Sequence, residues 1–313
     1  MRAQYSAYVA LLGAAALWGS NPVVGRTLVA HLPPITLSWL RWLLALCVLA
    51  PFVWRERHDI ARALRRDWKI LMPLALCANV PQSALIYAAL DTTSAINVGL
   101  LNSTIPVLIL VLGALFFARS VSGREVLGIA LSFAGVATIL FHGSIDRLEA
   151  LALSRGDLLA FAGMLTWALY TLGLPRRPPL TLLGFVAAMS VVGVTLSAPA
   201  VAVEILLRPP RLEPSTLAGL AYVALGPTLA GTLAFSYGAE HLGAFRAGLF
   251  VHFMPVFAAA LAIALLGEQL QLYHLAGFAL VAGGALTALG VPRLLSSPPG
   301  AVPRSEGNTH GQS

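Results

Sequence analysis

The stretch "GREVLGIALSFAGVATIL" at residues 123–140 returns as "LYHLAGFALVAGGALTAL" at residues 272–289, an offset of 149 positions (272 minus 123). Small and polar residues align across the two copies, namely Gly128 with Gly277, Gly135 with Gly284 and Thr138 with Thr287. The same offset aligns Pro106 with Pro255 and Trp18 with Trp167. "LPPITL" (32–37) also returns as "RPPLTL" (177–182), with a small shift. The chain therefore consists of two related halves.

The composition is too apolar for a protein surrounded by water. Hydrophobic residues make up 58% of the 313 residues, and the mean hydropathy is +0.81. Charged residues make up 11%, whereas a soluble domain carries about 25%. Most of the surface is therefore expected to face lipid.

A window of about 19 residues identifies apolar stretches long enough to cross a bilayer. Ten are found, near 7–25, 34–54, 70–89, 96–116, 124–141, 156–174, 180–203, 216–236, 244–266 and 271–290. Lipid cannot hydrogen-bond a backbone, so each stretch is predicted to be a helix. We predict an all-α integral membrane protein with two five-helix repeats, 7–141 and 156–290. Because five is odd, the second repeat is inverted relative to the first.

Lysine and arginine residues predict the orientation in the membrane. With the N-terminus placed in the cytoplasm, the inside segments hold 14 of these residues and the outside loops hold 4. We therefore predict a multi-pass protein of the cell membrane with both termini cytoplasmic. The tail at 293–313, rich in Pro, Ser and Gly, is predicted to be disordered. Topology accounts for the net charge of +7, so no nucleic-acid partner is expected.

Five segments give the chain a resemblance to the EamA family of the drug/metabolite transporter superfamily. They are "LWGSNPVVGRTL" (17–28), "PPITLSWLRWLLA" (33–45), "NSTIPVLILVLGALFF" (102–117), "HFMPVFAAALAIALLGEQL" (252–270) and "GFALVAGGALTAL" (277–289). The resemblance covers about residues 7–291 and implies ten helices that export or exchange small metabolites. One departure concerns the acidic residue that commonly follows the fourth helix of each half. It is kept as Glu268 but replaced by Arg119 in the first half.

Two prolines interrupt predicted helices at equivalent positions. Pro106 and Pro255 each remove a backbone hydrogen bond and free a carbonyl four residues earlier. Interrupted helices at matching places in two halves are typical of a transport site near the membrane midplane. Asn102 and His252 lie beside these prolines and are predicted to bind substrate; His252 also suits a charge change near neutral pH. The alternatives are that the prolines only kink the helices and that His252 only joins helices.

Aromatic and amide side chains supply the other predicted contacts with substrate. Trp18 and Trp167 occupy equivalent positions in the first and sixth helices, with Asn21 and Tyr170 about one turn away. Aromatic rings beside polar groups suit a partly apolar solute, although core packing is an equally good explanation. Further candidates in the third predicted helix are Asn79 and Gln82.

Arg41 is predicted to lie roughly 10 Å inside the second helix. A charge at that depth requires a carboxylate, backbone carbonyls or an anionic substrate. We expect a structural or gating role, with Glu268 and Asp91 as potential partners, and direct contact with substrate is the alternative. Pro106, Pro255 and Glu268 are assigned to the same structural or gating class.

The function predicted from these features is secondary transport, by alternating access, of amino acids or related amphipathic solutes. The alternative within transport is an exchanger of nucleotide sugars or phosphorylated solutes, and the alternative outside it is a multipass enzyme acting on lipid. The sequence contains no G-x-x-x-x-G-K-[ST] loop and no H-E-x-x-H motif. We therefore predict no enzyme activity, no catalytic residue, no metal site and no cofactor. The expected partners are a small-molecule substrate and the lipid bilayer, and a homodimer is left open.

Overall fold

The computed structural model describes residues 2–117, 122–144, 154–242 and 250–289. Within these ranges every regular element is helical, and none is a strand. The α-helices are α1 (Arg2–Leu28), α2 (Pro34–Val53), α3 (Arg57–Arg66), α4 (Trp68–Ala78), α5 (Val80–Ala89), α6 (Ala95–Leu101), α7 (Ile105–Phe117), α8 (Gly123–Leu140), α9 (Arg155–Gly173), α10 (Leu182–Leu207), α11 (Pro214–Val223), α12 (Gly231–Leu242), α13 (Met254–Leu266) and α14 (Leu272–Leu289).

Several predicted spans are divided in the structure. The divisions lie at Asn79, at the 3-10 turns Asn102–Thr104 and Val251–Phe253, and at the π turn Ala224–Ala230. A proline lies within or shortly after each division, at positions 81, 106, 227 and 255. Since proline has no backbone N–H to donate, the regular helical hydrogen bonding is interrupted there.

The described part has the helices of a multi-span membrane protein. Seven helical stretches are long and apolar enough to cross a membrane, or eight if the bent pair Ala95–Thr104 and Val107–Phe116 is one span. Two shorter apolar helices, Met254–Leu266 and Leu272–Thr287, are also present. The count of ten spans and the repeat boundaries at 7–141 and 156–290 stay predictions. The predicted tail, 293–313, lies outside the described residues.

The repeated stretches themselves, α8 and α14, pack together. A Cβ atom added to Gly135 would lie 2.6 Å from the carbonyl oxygen of Gly277, and one added to Gly284 would lie 2.5 Å from that of Gly128. Because Gly277 aligns with Gly128 and Gly284 with Gly135, the repeat relation exchanges these two contacts. The helices are therefore antiparallel about a local two-fold axis, as in an inverted repeat. Only glycine permits backbones to approach so closely.

The remaining long helices form two bundles, each of which mixes the two halves. In the α1 bundle, α1 packs against α11, α12 and α13. In the α9 bundle, α9 packs against α4, α5 and α7. The repeat relation converts one bundle into the other, because α1 corresponds to α9. α2 packs against α5 of the α9 bundle and α11 of the α1 bundle, and also against α10, whereas α8 and α14 pack on each other beside α6 and α7.

The glycine contact yields a prediction with a control one residue away. A methyl group at Gly284 would meet the Gly128 carbonyl and the Ser132 backbone nitrogen, at 2.5 and 2.7 Å, whereas a Cβ at Gly283 meets nothing within 4 Å. Overpacking costs about 1–3 kcal/mol. Gly284→Ala should therefore lower the melting temperature of the purified protein, and Gly283→Ala should not. Equal melting temperatures for the two variants would contradict close packing of α8 on α14.

Candidate functional site

A cavity of about 560 Å³ lies between the α1 bundle and the α9 bundle, with α2 beside it. This volume is within the range of small-molecule binding sites, about 300–1,000 Å³. Residues from both halves of the chain form the wall, which is mostly apolar with a few polar side chains. The location agrees with the general position of transport sites, at the interface between inverted repeats.

The structure brings most of the sequence-predicted residues to this cavity. Those that line it are Trp18, Asn21, Arg41, Gln82, Asn102, Trp167 and Tyr170. Asn79 is not among them, because its buried side chain lies against Gly193 of α10. The side chains of Pro106 and His252 lie outside the described part of the structure. Pro255 is buried where α13 approaches Gly99 of α6.

Aromatic rings form much of the apolar wall. The Trp18 indole donates a hydrogen bond to the carbonyl oxygen of Pro227, at 2.9 Å. Its ring centroid lies 5.1 Å from that of Phe235, and the Trp167 and Tyr170 centroids lie 5.2 Å apart. The sequence analysis missed Pro227 and Phe235, although Pro227 interrupts the eighth predicted span.

Arg41 is the charged group of the described cavity wall, and it is only 7% exposed. Its guanidinium donates to the Tyr87 hydroxyl at 3.2 Å and to the Ser83 hydroxyl. Tyr87 in turn donates to Asn21 Oδ1 at 3.0 Å, so this chain of hydrogen bonds joins α2, α5 and α1. The Trp42 ring centroid lies 5.3 Å from the guanidinium carbon.

The predicted carboxylate partners of Arg41 are wrong. Glu268 lies 3.8 Å from Arg26 instead, and Asp91 lies 3.7 Å from Arg208. Both carboxylates stay at helix ends, whereas Arg41 projects into the bundle interior. Among the described residues no carboxylate is within ion-pair distance of Arg41, and its Nε has no hydrogen-bond partner there.

The bundle is sealed at the end formed by residues 28–34, 90–95, 207–214 and 266–272, here termed the closed end. Glu268, which follows α13, accepts hydrogen bonds from the backbone nitrogens of Ala95 and Ile96 at 2.9 and 3.0 Å. These nitrogens are unsatisfied donors at the start of α6, where negative charge is favourable. Arg26 of α1 donates to the carbonyl oxygens of Leu90, at 3.0 Å, and Thr93. Arg26 thereby joins the α1 bundle to the segment after α5, and Glu268 joins α13 to α6, the helix that leads into α7 of the α9 bundle.

A related contact occurs at each end of the α2–α10 pair. At the closed end, Glu204 accepts hydrogen bonds from the Thr36 backbone nitrogen and hydroxyl at 2.6 and 2.7 Å. At the opposite end, Glu56 accepts from the Thr181 hydroxyl at 2.8 Å. Thr36 and Thr181 correspond in the "LPPITL" and "RPPLTL" segments. We term this opposite end, formed by residues 54–68 and 174–181, the basic end; the cavity reaches it at Leu174.

A buried polar cluster lies beside the closed end, and the sequence analysis did not predict it. Asp157, in the first turn of α9, is fully buried. It accepts hydrogen bonds from the Thr93 hydroxyl and from Asn97 Nδ2, the latter at 3.2 Å, and lies 3.5 Å from His142 Nε2. His274 Nε2 pairs with Asn97 Oδ1 at 3.1 Å. Asp157 could have been found from the helix-capping pattern that starts at Ser154, because this pattern places a carboxylate at the third helical position.

Comparisons with known proteins are consistent with this geometry. The sequence profile of the EamA-like transporter family matches residues 5–141 and 154–290. YyaM of Bacillus subtilis strain 168, described as an uncharacterized transporter, is 26% identical over 292 residues, which cover 92% of this chain and 94% of that protein. A Salmonella typhimurium strain LT2 protein described as a "probable amino-acid metabolite efflux pump" is 26% identical over 280 residues, covering 86% of this chain and 89% of that protein.

The fold also occurs among solved structures. A crystal structure with 20% sequence identity superposes with a TM-score of 0.60, covering 94% of this chain and 99% of that chain. At that identity the superposition shows a shared fold only. The two profile matches cover most of the sequence. The chain therefore belongs to the EamA-like transporter family, within the drug/metabolite transporter superfamily.

Proposed function

We propose that the protein exports or exchanges small amphipathic metabolites by alternating access. The observation that carries this proposal is the cavity between the two bundles, sealed at the closed end and extending to Leu174 at the basic end. In alternating access, a central site opens to one side of the membrane at a time. With both termini in the cytoplasm, the closed end faces outside and the structure corresponds to an inward-facing state.

The contacts at the closed end are of a kind that a conformational change can break. Arg26 bonds to backbone groups after α5 of the other bundle, and Glu268 bonds to backbone groups at the start of α6; water can replace both sets of contacts when the end opens. The α8–α14 glycine contact instead excludes water and is suited to a permanent joint. The residue aligned with Glu268 by the repeat is Arg119, which lies outside the described residues.

Efflux of solutes that carry the carboxylate of an amino acid or of its metabolites is supported by the relative described as a "probable amino-acid metabolite efflux pump". The alternative exchanger of phosphorylated solutes has less support, because phosphate is usually bound by several cations. Arg41 is the charged residue of the cavity wall as described. A multipass enzyme has no observation in its favour, since the family and the named relatives are transporters. The bilayer location, cytoplasmic termini and a homodimer belong to the same proposal.

Filling the cavity tests the proposal directly. Thr171 lines the cavity, and its hydroxyl is already bonded to the Trp167 carbonyl at 2.9 Å, so no polar partner is orphaned by its loss. Thr171→Trp should abolish transport of every member that the parent protein moves from a panel of amino acids, organic acids, amines and purines in proteoliposomes, while leaving folding intact. Thr138→Trp on α8 is the control, because that hydroxyl is likewise bonded to its own helix and lies away from the cavity. Normal transport by Thr171→Trp would contradict a route through this cavity.

Substitutions of two asparagines are expected to distinguish an effect on substrate binding from an effect on folding. Asn102 lines the cavity, whereas Asn79 is buried against Gly193. Asn102→Ala should weaken substrate affinity by about 0.5–1.5 kcal/mol, roughly threefold to tenfold, with an unchanged melting temperature. Asn79→Ala should lower the melting temperature and leave affinity unchanged. Uptake kinetics measure the affinity, and thermal unfolding measures the melting temperature. A lower melting temperature with unchanged affinity in Asn102→Ala would show that Asn102 does not bind substrate.

A further inference from the structure

We propose that Arg41 binds the carboxylate of a monoanionic, partly apolar solute, so that the transporter selects organic anions over zwitterions and cations. The proposal rests on the transport function proposed above and specifies the substrate class of the same cavity. It also assigns to Arg41 a role in binding, in place of the ion pair expected from the sequence.

The first observation is an uncompensated charge. A buried cation normally has a carboxylate partner, because transferring an unpaired charge out of water is costly. Arg41 is only 7% exposed, and its described hydrogen-bond partners, Tyr87 and Ser83, are neutral hydroxyls. A bound anion would supply the missing negative charge.

The second observation is the geometry of the free donors. Arg41 Nε has no hydrogen-bond partner among the described residues, although it is buried. Nη2 donates one hydrogen to Ser83 and has a second. Nε and Nη2 share one edge of the planar guanidinium, and that edge matches the two oxygens of a carboxylate. Tyr87 and the Trp42 ring hold the plane in position.

The third observation is the charge of the whole wall. The described lining residues include no aspartate and no glutamate. A zwitterionic amino acid would place its ammonium group among neutral amides such as Asn21, Gln82 and Asn102. A simple cation would meet Arg41 without compensation. The rings of Trp18, Trp167 and Phe235 supply apolar surface for the rest of the solute.

Three probes that share a phenylethyl skeleton and differ in charge test the proposal on the wild-type protein. They are 3-phenylpropionate, an anion; phenylalanine, its zwitterionic analogue; and phenethylamine, a cation. Isothermal titration calorimetry of the purified full chain at neutral pH should give the tightest binding for 3-phenylpropionate. We expect at least about a tenfold preference over phenylalanine, as for other hydrogen-bonded charges, and no detectable binding of phenethylamine.

Substitutions of Arg41 test whether this side chain causes the preference for the anion. Arg41→Gln should lose at least about tenfold in affinity for 3-phenylpropionate, and Arg41→Lys should restore only part of it because ammonium lacks the planar fork. Arg62→Gln is the control, since Arg62 is exposed on α3 and lies outside both the cavity wall and the closed end. If Arg41→Gln does not fold, the relative affinities of the three probes for the wild-type protein still test the proposal.

Two results would overturn the proposal. One is equal binding of the three probes, or tighter binding of phenylalanine or phenethylamine; the other is no binding of any probe. If a zwitterion or cation binds and Thr171→Trp blocks it, the cavity remains the transport site and only the anion preference fails. If Thr171→Trp leaves transport intact, the proposed function itself fails.

Discussion

A bilayer offers no hydrogen-bond partner to a buried polar group, and the architecture of this protein depends on that constraint. It restricts the spans to helices, and it requires another partner wherever a proline interrupts one. At the closed end, carboxylates of the second half cap helices of the first: Glu268 caps α6 and Glu204 caps α2. Trp18 similarly bonds to the carbonyl of Pro227 at the π turn. Arg41 is an exception, because its buried Nε donor has no hydrogen-bond partner among the described residues, although the side chain lines a cavity.

The two halves are joined by contacts of two kinds, and this difference is what permits movement. The glycine contacts between α8 and α14 bury backbone against backbone, and their strength does not depend on polar partners. The contacts of Glu268 and Arg26 are hydrogen bonds that water can replace. One joint is therefore permanent and the other reversible. The hydrogen-bond chain from Arg41 through Tyr87 to Asn21 also crosses between the bundles beneath the closed end.

The internal repeat predicted much of the fold, because residues equivalent under it occupy equivalent places. Trp18 and Trp167 meet at one cavity for this reason, and the two predicted interruptions, at Pro106 and Pro255, lie beside divided spans. Proline alone does not predict a division, since Pro22 and Pro199 lie within continuous helices. Contacts between helices were not predictable in the same way. Spacing along a helix shows which residues share a face but not which helix that face meets. Arg41 was accordingly given the wrong partners, although Ser83 and Tyr87, four residues apart on one face of α5, were a usable signal.

The central claim is that the two bundles are held together reversibly at the closed end. The direct measurement is the distance between spin labels at Leu217 on α11 and Leu158 on α9, both exposed at that end of opposite bundles. Cys47 and Cys77, which are free, are first replaced by serine. Glu268→Ala removes the carboxylate that joins α13 to the first N–H groups of α6 and so weakens the closure. The account predicts a longer distance in Glu268→Ala than in the parent protein, and no change in Glu213→Ala, which removes an exposed carboxylate of the same end. An identical distance distribution in all three proteins would contradict it.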